Sequence, residues 1–365
     1  MQTEEKILIW LNSFEIYAQK QLQLLNCFEN GHEFVAEFGK SFGKVAHLVD
    51  EALFNALCKS LKGNGLDEAV EQAMGYGAEI ITVLGENYPE RLKNIPNPPT
   101  VLYCIGDTKL LDTKAVAVVG SRKSSLYGEK VAKKFVKELV EHGVTIVSGM
   151  ALGIDGEAHR AALENGGKTV AVLGGGFAKI YPPQHEQLFK KICKEGLVVT
   201  EFAPKTSSHP YHFPLRNRIV SGLSDGVFMV EAGSKSGTFT TVGHALEQGR
   251  DVFIAPGELY NFYCEGSNEM LKTIPDALVL SAKDIAERLK LVWKIDGREE
   301  IAAIQLSAEE TLVADFLSAG ARNFDEIALN TKLSPGALQS CLSKMEIRGI
   351  LEKHGSNYKL QIRTE

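Results

Sequence analysis

The chain has 365 residues, of which 44% are hydrophobic and 24% are charged, a composition that fits a soluble globular protein of two or three domains. Its formal net charge of −6 excludes indiscriminate coating of nucleic acid, so any site for a polyanion must be local. No apolar run approaches the length of a membrane helix and the first residues lack the basic region of a signal peptide, so we expect a cytoplasmic protein without membrane contact. Six scattered cysteines indicate neither a metal site nor a disulfide framework.

The N-terminal part predicts a small helical domain over residues 1–75, because apolar residues such as Ile7, Leu11 and Phe14 recur at spacings of three and four. Residues 76–112 follow as a connector that leads into the core. Its four prolines forbid a continuous helix and favour extended chain.

Residues 113–283 predict an α/β domain, since short apolar segments alternate with helical stretches. The expected strands are Val116–Val119, Thr145–Val147, Thr169–Leu173, Leu197–Val199, Gly226–Val230 and Val252–Ala255. This alternation indicates a doubly wound parallel sheet with helices on both faces. Small and polar residues recur where the strands end, so we expect the site at the carboxyl edge of the sheet.

The C-terminal part predicts a linker over residues 284–304 and a winged helix-turn-helix domain over residues 305–365. Asn323 and Ser334 are placed to cap helices, and Pro335 suits a first helical position. The domain has eight acidic against seven basic residues, so we expect weak duplex binding and leave protein contact open.

The stretch AVAVVGSRKSS carries Gly120, Ser121 and Arg122 at the end of the first parallel strand. Arg122 stands where a dinucleotide-binding turn needs its second glycine, so a nicotinamide cofactor is not expected. Free amides of the next helix, the Arg122 guanidinium and the hydroxyls of Ser121, Ser124 and Ser125 would suit phosphate. A tight turn without a ligand is the alternative.

The stretch SGMALGIDGEAH runs from Ser148 to His159. Ser148 and Gly149 end a strand at the expected edge, and we include them among the binding residues. Asp155 and His159 are four residues apart on one helix face, which allows either an acid/base pair or a helix cap that holds the histidine. With no nucleophile or metal ligand nearby in sequence, we assign both a supporting role.

The stretch HPYHFPLRNRIVSG places Arg216 and Arg218 around Asn217, after Tyr211 and Phe213. Guanidinium groups, an amide and aromatic rings are the groups that hold an unpaired nucleic acid strand. The alternative is that the rings fill the core while the arginines pair with carboxylates.

The stretch EAGSKSGTFTT begins with Glu231, to which we assign a supporting role, and continues to Ser236, Gly237 and Thr238 at a helix start. That N-terminus could hold an anion. A plain helix cap is the alternative.

Read together, these motifs resemble the bacterial DNA-processing protein DprA (Smf) family. The resemblance spans roughly residues 80–280 and rests on YPERL, VGSR with YG, SGMALGID with His159, FPLRNR, SGTFTT and the late PG and GSN motifs. It implies a Rossmann-like protein that is not an enzyme, has no cofactor, binds single-stranded DNA, forms homodimers and loads the RecA recombinase during natural transformation. It also implies a sterile-alpha-motif-like N-terminal domain and a C-terminal winged helix.

Carried onto this sequence, the resemblance implies that Gly120, Ser121 and Arg122 contact DNA phosphates. The pocket would also be lined by Phe213, Arg216, Asn217 and Arg218. The residues after Asn268 depart from the family pattern, which puts the contacts of the last helix in doubt.

Two rival functions come from other classes. A nucleotide-hydrolysing enzyme of the lysine-decarboxylase-like Rossmann group would need a glutamate after its Gly-Thr turn, but this chain continues through Phe239 and Thr240 to Thr241. A transcription factor that acts through the winged helix is disfavoured by that domain's near-neutral charge.

Overall fold

The computed structural model describes residues 1–291, 306–318, 320–348 and 350–360. The chain divides into two compact units, Met1–Trp293 and Lys294–Glu365, which we describe separately. Within the described ranges, every helix is too short or too polar to cross a membrane.

The first unit begins with six helices. They are α1 (Thr3–Ser13), α2 (Ala18–Asn26), α3 (Gly31–Glu37), α4 (Phe42–Val45), α5 (Glu51–Lys62) and α6 (Gly65–Gly75). They enclose an aromatic core in which Trp10 meets the edges of Phe34 and Phe38. Leu8 and Ile9 on the other side of α1 pack on the sheet, so the helical segment and the sheet share apolar contacts.

An eight-stranded sheet forms the centre of the first unit. Its strands are β1 (Glu79–Thr82), β2 (Val101–Gly106), β3 (Ala115–Val119), β4 (Thr145–Ser148), β5 (Thr169–Val172), β6 (Leu197–Thr200), β7 (Gly226–Met229) and β8 (Asp251–Ile254). The spatial order is β1-β2-β6-β5-β4-β3-β7-β8. The strands from β6 to β8 in that order are parallel, which confirms the predicted doubly wound sheet.

The described residues of this unit form eight further helices. They are α7 (Glu90–Lys93), α8 (Leu126–Glu141), α9 (Ile154–Glu164), α10 (Glu186–Glu195), α11 (His212–Gly222), α12 (Thr238–Glu247), α13 (Glu265–Thr273) and α14 (Ala282–Arg288). Helices α8, α9 and α14 cover one face of the central strands, and α11 and α12 cover the other. Val116 and Val118 point to the first face and Ala117 and Val119 to the second, so β3 is apolar on both sides, as a central parallel strand requires.

The predicted connector 76–112 contributes more than extended chain. Strand β1 pairs antiparallel with β2, and β2 pairs antiparallel with β6, so the connector adds two strands to the edge of the parallel sheet. The prolines lie outside both strands, where their missing N–H groups do not interrupt a ladder.

In the second unit, the residues that the structure describes form three helices and a small sheet. Its elements are α15 (Ala308–Leu317), β9 (Arg322–Asn323), α16 (Phe324–Thr331), α17 (Pro335–Ile347), β10 (Leu351–His354) and β11 (Asn357–Leu360). The side chains of Asn323 and Ser334 cap α16 and α17, as their sequence positions predicted. Of the predicted linker 284–304, the first residues belong to α14, and residues 292–304 lie outside the described residues.

Candidate functional site

A cleft of about 600 Å³ lies at the carboxyl edge of the parallel strands. Its walls include the turns after β3, β4 and β7, and β3 is the strand at which the order of the sheet reverses. Open α/β sheets bind their ligands at this topological switch point. The predicted residues that line the cleft are Gly120, Ser121, Arg122, Gly149, Asp155, Phe213, Arg216, Asn217, Ser236, Gly237 and Thr238.

The turn after β3 is fixed on two sides. The Ser121 N–H donates to the carbonyl of Glu231 at 3.0 Å, which joins the turn to the end of β7. On the other side, Gly153 has φ +75° and lies so close to the Ser121 carbonyl that a Cβ there would overlap it. The backbone that carries Arg122 is therefore held in place on both sides. The Arg122 guanidinium is exposed and lies over the Phe213 ring, 5.0 Å from its centroid.

The N-terminus of α8 is occupied by a carboxylate of the protein itself. The N–H and Oγ of Ser125 donate to Glu231 at 2.7 and 2.6 Å, and Ser125 Oγ accepts from the Gly128 N–H at 2.9 Å. A negative charge at this position also suits the helix dipole. The Ser125 hydroxyl and the Ser125 and Gly128 amides, which the sequence offered to phosphate at this helix end, are therefore engaged within the protein. The hydroxyl of Ser124 is likewise engaged, because it donates to Glu129 at 2.7 Å.

Arg216 lies at the base of the cleft and is almost fully buried. Its Nη1 donates to the carbonyl of Gly149 at 2.5 Å and to the carbonyl of Val172, and its Nε donates to Asn217 Oδ1 at 3.2 Å. Burial lowers the pKa of Arg216 to about 10, which leaves it cationic at neutral pH. Gly149 is needed beside it, since a Cβ would stand 2.5 Å from Arg216 Nη2 and 2.7 Å from Asp155 Oδ2.

The charged side chains that line the cleft are four cations and one carboxylate. They are Arg122, Lys123, Arg216, Lys235 and Asp155. Among the described residues, Arg122, Lys123 and Lys235 form no ion pair, and all three are exposed. The cleft is thus a local positive site on an acidic protein.

Aromatic and hydroxyl groups complete the cleft. The rings of Tyr181 and Phe213 lie 5.5 Å apart, and Asn217 Nδ2 donates to Thr240 Oγ1 at 2.7 Å. At the start of α12, Ser236 Oγ accepts from the Thr238 N–H at 3.3 Å, so part of this predicted anion site is a helix cap. Gly237, the N-cap residue itself, offers no side chain to the helix end.

Two of the predicted DNA-binding residues do not reach the cleft. Ser148 is buried at the end of β4, where its Oγ donates to the Val118 carbonyl at 2.7 Å. Arg218 faces away, into a neighbouring cavity between α11 and the N-terminal helices, and binds Glu201 with both terminal nitrogens at 2.6 Å. For Arg218 the structure favours the carboxylate-pairing alternative that the sequence left open.

Asp155 and His159 have separate partners. Asp155 Oδ2 accepts from the Gly149 N–H at 3.1 Å, and burial raises its pKa against the opposing effect of Arg216. His159 lies behind the cleft with Nδ1 2.7 Å from Thr169 Oγ1, whose own hydrogen goes to a backbone carbonyl. The histidine therefore donates through Nδ1 and keeps a bare, buried Nε2. Burial lowers its pKa to about 3, which fits a neutral structural histidine better than an acid or base.

Sequence reasoning missed several residues that line the cleft. Lys123 and Lys235 could have been predicted, since each lies inside a motif already identified. Lys123 directly follows Arg122, and Lys235 stands between two serines. Tyr181, Phe262 and Tyr263 come from segments without a recognisable pattern, and only the three-dimensional structure brings them to the cleft.

Two family models match the chain. The DNA recombination-mediator protein A model matches residues 79–290, and the DprA winged helix domain model matches residues 299–357. Among relatives, the chain is similar to DNA processing protein DprA of Bacillus subtilis (strain 168), with 41% identity over 214 residues, which are 58% of this chain and 72% of that protein.

Solved structures give the same result. DNA processing protein A (DprA) from Streptococcus pneumoniae matches with a TM-score of 0.68 and 32% identity, over 79% of this chain and 98% of that chain. A structure concerned with the single-stranded DNA binding mode of DNA processing protein A from Helicobacter pylori matches with a TM-score of 0.53 and 31% identity, over 58% of this chain and 96% of that chain.

Proposed function

This chain belongs to the DNA recombination-mediator protein A family, and we propose that its cleft binds single-stranded DNA in the cytoplasm. The observation that carries the proposal is the charge of the cleft. Four cations and one carboxylate line it, although the whole chain has a net charge of −6. A phosphate backbone is the ligand that such a local excess of Lys and Arg attracts most strongly.

The form of the cleft favours a single strand over a duplex. Rings and guanidinium groups lie side by side in it, as in the Arg122–Phe213 pair. A base can stack on such a ring only when it is unpaired, and phosphates of the same strand can then meet the cations. The similarity to the Helicobacter pylori protein, whose structure concerns single-stranded DNA binding, supports the same ligand.

We favour binding over catalytic turnover. Asp155 is the carboxylate that lines the cleft, and it is occupied with the Gly149 amide beside Arg216. The position at which the nucleotide-hydrolysing group has its glutamate is Thr241 here. An assay for free base released from a nucleoside monophosphate tests this part, since release would favour the enzyme.

We further propose that the protein acts as a homodimer that delivers the bound strand to the RecA recombinase. This part rests on family membership. Light scattering of the purified protein tests the dimer, and the rate at which RecA assembles on a strand coated by single-strand binding protein tests the delivery.

The DNA-binding proposal is tested by fluorescence anisotropy with a labelled oligo-dT strand and with a duplex of equal length. We expect the single strand to bind more tightly, and Arg122→Ala to weaken that binding. Arg288→Ala is a matched control, because Arg288 also lies over a phenylalanine ring, 4.8 Å from the Phe253 centroid, but outside the cleft. Equal affinity of the wild-type and Arg122→Ala proteins would overturn the proposal.

A further inference from the structure

The segment after β8 exposes large apolar side chains next to the cleft. We call residues 258–263 the aromatic loop. Tyr260 is fully exposed and Phe262 is 72% exposed, and Leu259 beside them is 84% exposed. Water contact on three adjacent large apolar side chains is unfavourable, so such a patch indicates a surface that binds something.

The aromatic loop is held at its base. The amide of Asn268 spans Gly257, accepting from its N–H at 2.9 Å and donating to its carbonyl at 3.2 Å. Just before the loop, the Tyr127 hydroxyl donates to the Pro256 carbonyl at 2.6 Å. Within the loop, Asn261 Oδ1 accepts from the Tyr263 N–H at 3.0 Å. These contacts fix the chain where the loop begins and form a turn within it, and they leave its apolar side chains facing solvent.

The aromatic loop is continuous with the positive cleft. Phe262 and Tyr263, whose ring centroids are 6.1 Å apart, line the cleft together with Arg122 and Lys235. The backbone of the loop packs closely against the turn after β7, since a Cβ on Gly233 would stand 3.2 Å from the Phe262 carbonyl oxygen.

The acidic side chains near the loop are engaged. Glu258 accepts from Asn261 Nδ2 at 3.2 Å, and Glu265 accepts from Ser234 Oγ at 2.6 Å. Both glutamates keep their charge, but neither lines the cleft, whose wall carries Arg122 and Lys235 together with Phe262 and Tyr263. A polyanion with flat apolar groups matches both the cations and the rings of this wall.

We propose that the aromatic loop is a base-stacking surface of the cleft, on which Phe262 and Tyr260 take unpaired bases of a strand whose phosphates meet Arg122 and Lys235. The inference rests on the proposed function and extends it, because it assigns the bases a contact separate from the phosphates. Stacking is indifferent to base identity, since every base has a π face, so the loop adds affinity without sequence preference.

The test compares an oligo-dT strand with an abasic strand of the same length, which keeps the phosphates but has no bases. We expect Phe262→Ala and Tyr260→Ala each to weaken oligo-dT binding by about fivefold or more and to leave abasic binding unchanged. Phe262→Tyr keeps a ring and should bind like the wild type. Tyr76→Ala removes an exposed ring outside the cleft and is the matched control.

Three results would overturn the inference. The first is unchanged oligo-dT affinity in both alanine variants, and the second is an equal loss with oligo-dT and with the abasic strand. The third is a different oligomeric state of the alanine variants and the wild type in light scattering, because the loop would then be a contact between copies of the chain. Failure of the wild-type protein to bind either strand would instead overturn the proposed function itself.

Discussion

Arg218 and Glu201 form a two-point ion pair in the interior, with Nη1 and Nη2 of the arginine each 2.6 Å from one carboxylate oxygen. Both side chains are largely buried. The Arg218 Nε also donates to the Asn97 carbonyl at 2.9 Å, so one side chain joins α11 to the end of β6 and to the segment before β2. Since α11 also carries Phe213 and Arg216, the pair positions part of the cleft without facing it.

This pair predicts a stability effect for Arg218→Ala. The substitution leaves the Glu201 carboxylate buried without its partner, and we expect the free energy of unfolding to fall by about 3–5 kcal/mol. Replacing both residues by apolar ones, as in Arg218→Met with Glu201→Leu, removes the buried charge and should recover much of that loss. Urea denaturation of the single and double variants measures the difference.

The same variants separate stability from DNA affinity. Under conditions where each protein is folded, we expect the double variant to bind oligo-dT as the wild type does, because Arg218 lies outside the cleft. A double variant that is stable but binds several times more weakly would contradict this expectation, and would show either that Arg218 meets the strand or that the ion pair is needed to position Phe213 and Arg216.

The fold was largely predictable because its central strands are buried on both faces. Such strands appear in the sequence as short, continuous apolar runs, and those in β3 and β7 are unmistakable. The antiparallel strands β1 and β2 escaped prediction for a physical reason. Their partners are set by non-local pairing, β2 with β6, and local composition does not encode a partner almost a hundred residues away.

The site was predictable in position but not in every side chain. Turns rich in glycine and hydroxyl residues mark the carboxyl edge, and the cleft lies there. Arg216 and Arg218, however, lie two residues apart on α11, and a helix turns about 100° per residue, so the two side chains point in nearly opposite directions. The sequence motif grouped two arginines that the helix separates.

Gly153 tests how firmly the turn that carries Arg122 is braced. We expect Gly153→Ala to lose both stability and oligo-dT affinity, because a Cβ there overlaps the Ser121 carbonyl and must move the turn. Overpacking of this kind costs about 1–3 kcal/mol in addition to the cost of positive φ.

Gly166→Ala is the matched control for that substitution. Gly166 has φ +69°, similar to Gly153, but a Cβ there meets nothing within 4 Å. We expect it to lose only about 1–2 kcal/mol of stability and to keep its DNA affinity. Thermal unfolding and anisotropy measure both effects, and equal behaviour of the two variants would show that the turn is not braced by Gly153.

Because of the buried His159, we expect the free energy of unfolding to fall in acid. Its pKa is about 3 in the folded protein against an ordinary value of 6.5, because burial disfavours the charged ring. The unfolded chain therefore binds a proton that the folded protein excludes as the pH falls below about 6.5, so stability decreases with acidification, by up to about 1.4 kcal/mol per pH unit. Above that pH the histidine is neutral in both states and contributes no slope.

The variant His159→Asn isolates this contribution. It cannot take up the proton in the unfolded state, so its free energy of unfolding should fall less steeply than that of the wild type between pH 6.5 and pH 4, whatever its absolute stability. Urea denaturation across this range gives both slopes. Parallel curves would mean that His159 titrates alike in the folded and unfolded states.

The exposed cations of the cleft predict how steeply the affinity for single-stranded DNA falls as the salt concentration rises. Each phosphate contact to a single strand contributes about 0.7 to the slope of log affinity against log salt concentration, because it releases a bound counterion. Arg122→Ala, Lys123→Ala and Lys235→Ala should each reduce the slope by about that amount, and the triple variant by the sum. Lys109→Ala is the control, because Lys109 is exposed but precedes β3 and lies away from the cleft. A slope that stays at the wild-type value in all three variants would mean that the strand does not run through the cleft.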